Sequence, residues 1–175
     1  RNPLAVASSL ERRDGFDVVK SVYLWLLHMH RAVDDSQGLP RLIVPYDDLL
    51  TYPYEQLTRI ATALSLPRPD VADAALREYG ETFLDLSLRH AHHAVADLEE
   101  DARVPPVVVD FYRLLVDAST GGADLDGPEM ADGLRKASAV LRDLGPLLSF
   151  ARQNEAEPLV PALGLNDHRA FFQVF

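Results

Sequence analysis

Arg41-Leu42-Ile43-Val44-Pro45-Tyr46 is a short aliphatic run bounded by breakers, with Ser36-Gln37-Gly38-Leu39-Pro40 before it and Asp47-Asp48 after it. Unbroken apolarity over a few residues, without alternation, is the pattern of a strand buried on both faces, as in a parallel sheet. Most of the remaining chain reads as helix. Pro3 to Leu10 opens one, with proline in the first turn, and Asp14-Gly15 breaks it. Phe16 to Val33 is the strongest, with Val18, Val22, Trp25 or Leu26, Met29 and Val33 at helical spacing. Asp47 to Leu50 reads as a loop, and Pro53 to Leu66 as a helix ended by Pro67 and Pro69. Asp70 is read as the cap of a helix to about Glu78, and residues 80 to 94 as irregular. Pro105 to Asp117 is helical, Gly121-Gly122 is a joint, and Met130 to Leu148 is a long helix with a kink expected at Gly145-Pro146. One strand among six or seven helices cannot make a sheet, so the other strands are expected upstream of Arg1.

Composition narrows the function. The chain has 175 residues, 47% of them apolar, and a net charge of −10. A chain of this size buries roughly 70% of the surface it exposes when unfolded, so a true core is expected. There is no cysteine, which excludes disulfides, thiolate metal sites and cysteine nucleophiles. The longest apolar run, Val22 to Leu27, is too short to span a bilayer. The acidic balance argues against nucleic acid as a partner, because that binding needs a basic face. It leaves room for a small anion held by a local cluster of arginines. All the basic residues except Lys20 and Lys136 are arginine, the better bidentate ligand for phosphate. The chain begins with Arg1 and shows no signal peptide, and a cytoplasmic location is expected.

Arg1-Asn2-Pro3-Leu4-Ala5-Val6-Ala7-Ser8-Ser9 is the sharpest chemical signal. It sets an arginine ahead of a proline-started helix and a serine eight residues on. A guanidinium can grip two phosphate oxygens, and helix-start amides and a hydroxyl can take others. Two helical turns span about 12 Å, so Arg1 and Ser9 share one phosphate only if the arginine folds back. The ordinary alternative is an exposed arginine and a small inward-facing serine.

The segment resembles the 3′-phosphate-binding motif of sulfotransferases that use 3′-phosphoadenosine 5′-phosphosulfate: Arg-x-Pro, with Ser six residues after the proline. Arg1, Pro3 and Ser9 match it in register. Downstream, Arg41 to Tyr46 and Asp47-Asp48-Leu49-Leu50, then Pro53, resemble the family's strand ending in Tyr-(Glu/Asp)-Asp-Leu and its proline-started helix. Leu57 to Pro67 is similar to the helix that follows, so Arg1 to Pro67 as a whole resembles bacterial sulfotransferase domains. The resemblance implies an α/β fold: a P-loop nucleotide-kinase-like core, present here as a mostly helical fragment with few strands. Residues 1–120 would be the C-terminal part of that core and 121–175 a helical extension of the same domain. It implies that Arg1 and Ser9 hold the 3′-phosphate, that Tyr46 lies by the adenine, and that 3′-phosphoadenosine 5′-phosphosulfate is the co-substrate. The reaction implied is transfer of its sulfuryl group to a hydroxyl or amine of a small-molecule acceptor, whether sugar, lipid or secondary metabolite.

The family's Gly-rich phosphosulfate loop is not in this chain, and its usual base also lies upstream, so no catalytic residue is assigned. The fragment by itself is expected to be inactive. Ser87-Leu88-Arg89-His90 is similar to a string in some bacterial members and offers Arg89 as a second anion contact, or as a solvated arginine. His90, His92 and His93, with Asp97, Glu99 and Glu100, lack the spacing of a metal site, and no metal is expected. His28 and His30, two apart on one helix, point to different faces. Phe171-Phe172-Gln173-Val174-Phe175 is too apolar to stay in water, so it folds back on the core or meets a partner, a second copy included. The competing reading is therefore a non-catalytic helical binding or assembly module on the same scaffold.

Overall fold

Asn2 starts the first helix. Its Oδ1 accepts from the Leu4 N–H at 2.9 Å, and Pro3 fills a first-turn position that needs no donor. Helix α1 runs Pro3–Asp14 and stops where Gly15, at φ 68°, takes a left-handed conformation and returns its N–H to Glu11 O. The computed structural model describes residues 1–70, 78 and 93–154, the last nine as backbone only. Helix α2 (Val18–Asp35) is capped by Asp17, which accepts from the Lys20 N–H at 2.9 Å. Its stripe of Val22, Trp25, Leu26 and Val33 is buried. Helix α3 spans Tyr46–Thr51 and α4 spans Pro53–Ala63. Then come α5 (Val95–Glu100), α6 (Pro106–Ser119) and α7 (Pro128–Asn154).

The α/β expectation is corrected: among the described residues there is no strand and no sheet, so this is not a P-loop nucleotide-kinase-like core. The segment from Arg41 to Pro45 is non-helical, as expected, but no ladder forms along it. Its apolar side chains are used differently. Ile43 packs against a helical core, and Leu42, Ile43 and Val44 wall a cavity. The expected loop at Asp47–Leu50 is instead part of α3, where Asp47 and Asp48 sit in the first turn and complement the helix dipole. Helix α4 ends earlier than Leu66 because Ser65 turns left-handed (φ 54°), and the Leu66 N–H reaches back to Ala61 O. Helix α7 runs through Gly145-Pro146 to Asn154. Most of the expected Asp70–Glu78 helix, Ser87 to His92, and the C-terminal aromatics lie outside the described residues.

One core joins five helices. Leu4 and Ala7 of α1, the buried stripe of α2, Leu98 of α5, Val108, Phe111 and Leu115 of α6, and Met130, Leu134 and Ala137 of α7 form one apolar cluster. Helices α3 and α4 pack on each other and are fastened to it from outside, where Arg59 donates to Ser119 O at 2.6 Å. Among the described residues no helix is long and apolar enough to cross a membrane.

Candidate functional site

The start of α1 and the end of the 41–45 segment meet on α2. Trp25 Nε1–H donates to the Arg1 carbonyl at 3.1 Å and pins the Arg1 backbone against α2. The Arg1 guanidinium then lies over the Tyr46 ring, 4.7 Å from its centroid. A guanidinium on an aromatic face is a cation–π contact, and it leaves the planar N–H edge free for oxygen ligands. The Asp47 carboxylate acts electrostatically on the Arg1 amino group.

Arg1, Tyr46 and Asp47 border a cavity of about 270 Å³. Its walls are Trp25, Met29 and Val33 of α2, the segment Arg41 to Pro45, and Tyr112, Leu115 and Val116 of α6. The lining is largely apolar, with polar groups that include Arg1, Asn2, Arg41, Asp47 and Tyr112. The volume is at the lower end of small-molecule sites, about 300–1,000 Å³, and suits a flat ring with one attached anionic group. Burial raises the Tyr112 phenol above its ordinary range, and the nearby Asp47 carboxylate pushes the same way against a hydrogen bond from Asn2. Tyr112 therefore stays a neutral phenol at physiological pH.

Of the three residues expected to bind nucleotide, Arg1 and Tyr46 are brought together and Ser9 is not. Ser9 lies two turns along α1, outside the lining of the cavity, and its hydroxyl donates to Ala5 O of its own helix at 3.2 Å. Sequence reasoning missed Asn2 and Arg41. Asn2 is only 3% exposed; beyond capping α1, its Nδ2 donates to His93 O at 2.9 Å and Ala94 O at 3.3 Å. An asparagine ahead of Pro3 is a legible cap signal, but the far partners are not. Arg41 donates to the Val33 carbonyl, to Ser36 Oγ (3.0 Å), to Leu125 O (2.9 Å) and to Asp126 (2.6 Å). It closes one end of the cavity and is structurally committed, with its Nε buried and unpartnered.

Among the described residues no group of three or more histidine, aspartate or glutamate side chains converges on a point that could hold a metal ion. His93 lies 3.7 Å from Asp97. No protein-family model, no curated protein and no solved structure matches this chain.

Proposed function

We propose that this chain carries the adenosine 3′-phosphate end of a sulfotransferase nucleotide site. It would serve sulfuryl transfer from 3′-phosphoadenosine 5′-phosphosulfate to a hydroxyl or amine of a small-molecule acceptor. The observation that carries the reading is the Arg1 guanidinium over the Tyr46 ring at 4.7 Å, at the edge of an apolar cavity. These are the two residues that the motif resemblance assigns to phosphate and adenine, and they come from segments 45 positions apart in the chain. The exposed edge of the guanidinium can take a 3′-phosphate in a forked pair of bonds, while aromatic and aliphatic walls accept the base. Ser9 enters this reading through the motif register alone. No base and no sulfuryl-stabilising group is assigned to this chain. A cytoplasmic location goes with the reading, since the donor is an intracellular nucleotide.

Calorimetric titration with 3′,5′-bisphosphoadenosine tests it, with adenosine 5′-monophosphate as the control that lacks the 3′-phosphate. The bisphosphate should bind more tightly than the monophosphate, and Arg1→Ala should remove that advantage, a loss of at least about tenfold for one charge-assisted contact. No heat with the bisphosphate, or equal binding by Arg1→Ala, sinks the proposal. The strand-free, mostly helical architecture of the described residues favours a second reading, a non-catalytic binding or assembly module. That reading expects light scattering to show association that is lost on deleting Phe171–Phe175, with no nucleotide binding.

A further inference from the structure

A second groove, of about 440 Å³, lies between α2 and α7. On the α7 side it is lined by Arg135, Ser138 and Arg142, which follow each other at spacings of three and four and so share one helix face. On the α2 side it is lined by His30 and Asp34, one turn apart, and by Gln37 just beyond the helix end. The two sides meet where Ser138 Oγ and His30 Nε2 lie 2.7 Å apart.

The charges in the groove run against the rest of the protein. The chain carries −10, yet the groove lining holds two arginines and one carboxylate. That carboxylate, Asp34, is already engaged by Gln37 Nε2 at 2.7 Å. Arg135 leans on Asp132 at 2.5 Å, but Asp132 also holds Lys136 at 2.8 Å, so its one negative charge is shared by two cations. Arg142 has no hydrogen-bond or ion-pair partner among the described residues. An unpaired guanidinium, a second arginine two turns away on the same face, a hydroxyl between them and an imidazole facing that hydroxyl make a donor-rich surface. It offers a planar fork for two oxygens and a hydroxyl for a third.

We propose that this groove binds a tetrahedral oxyanion, the phosphate of a small phosphomonoester, with Arg142 and Arg135 flanking it and Ser138 and His30 beneath it. A sulfate ester presents the same tetrahedron with less charge, so it should bind more weakly between two arginines. A carboxylate offers only two oxygens. The site is separate from the Arg1–Tyr46 cavity and does not depend on the nucleotide reading.

The test follows the His30 ring resonances by NMR while the full chain is titrated with inorganic phosphate, then with sulfate and with acetate, at constant ionic strength. Saturable shifts of the ring with phosphate are expected in the millimolar range, reached by about 50 mM, with sulfate and acetate weaker. Arg142→Gln changes an exposed residue and should weaken phosphate about tenfold, while Arg31→Gln, an exposed arginine of α2 outside the groove, should leave it unchanged. A ring that does not respond to phosphate, an equal response to acetate, or equal losses in the two arginine variants overturns the proposal. Thermal melting of both variants alongside separates a lost contact from a lost fold.

Discussion

Asp101 sits at the C-terminal end of α5 and receives three bonds from one residue. The Arg103 backbone N–H donates to Oδ1 at 3.0 Å, its Nε to Oδ1 at 2.9 Å and its Nη2 to Oδ2 at 2.6 Å. Hydrogen bonds to the charged form hold the Asp101 carboxyl down at about 2, the side-chain contribution being larger than the backbone one. A carboxyl depressed in the folded state stabilises the fold above its ordinary value of 3.8, and that contribution disappears as the pH falls from 3.8 toward about 2. The carboxyl carbon of Asp101 should therefore titrate with a midpoint near 2. In Arg103→Ala the midpoint should rise toward 3.8 without reaching it, because the backbone donor at position 103 survives. A midpoint that does not move in the variant would show that the guanidinium is not the cause. This contact is local and legible in the sequence Asp101-Ala102-Arg103. The contacts of Asn2 and Arg41 are of another kind. Their partners lie 91 and 84 positions away, at His93 and Leu125, and no local pattern encodes them.

At the scale of elements, the close approach of α6 and α7 depends on Gly133. A Cβ built at that position would come within 2.7 Å of Leu114 Cδ2 and 3.4 Å of Phe111 Cδ2. Leu114 is only partly buried and its Cδ2 is the end of a flexible side chain, so alanine can be accommodated by a rotamer change, and its better helix propensity offsets the shift. Valine cannot, because its extra methyls press toward both Leu114 and the fully buried Phe111. Gly133→Val should lose about 1–3 kcal/mol in urea unfolding, with Gly133→Ala near neutral. Equal stability of both would place the helices further apart than the structure has them. The helices themselves were largely legible. Pro3 and the Gly15 stop locate α1, and apolar spacing locates α2, α6 and α7. The run at Arg41–Tyr46 was misjudged for a physical reason. Continuous apolarity reports contact with other apolar groups, and helices can supply that contact as well as neighbouring strands can; residues 41–46 lie half-buried along the cavity. The juxtaposition of Arg1 with Tyr46 came from the motif resemblance, since composition and periodicity carry no information about which chain ends meet. The resemblance also pairs Ser9 with Arg1, whereas the helical serine has a nearer acceptor in the carbonyl one turn back.

At the scale of the molecule, the apolar cluster divides the chain into a body and an attachment. Helices α1, α2, α5, α6 and α7 share one core, centred on Trp25 between Phe111 and Tyr112, whose rings meet it edge-on at 6.4 and 5.9 Å. Leu50 and Ala61, the buried apolar residues of α3 and α4, are not part of it. A polar contact joins α4 to the body. Arg59 Nη1 donates to the buried Gln56 side chain and Nη2 to the Ser119 carbonyl at the end of α6, both at 2.6 Å. Removing the guanidinium leaves Gln56 Oε1 and Ser119 O each short of a donor, at about 1–3 kcal/mol for each buried group. That loss falls on the attachment and not on the core. Trp25 is the sole tryptophan, so its fluorescence reports the body, whereas far-UV circular dichroism counts every helix. In the parent chain the two probes should trace one coincident urea transition, as for a cooperative domain. In Arg59→Ala the dichroism should fall first, by an amount sized to the 6 and 11 residues of α3 and α4, while the tryptophan midpoint stays within error of the parent. Two curves that still coincide in the variant would mean that α3 and α4 are held through the 41–45 segment and the Arg1–Tyr46 contact, and that the cavity wall unfolds only with the whole.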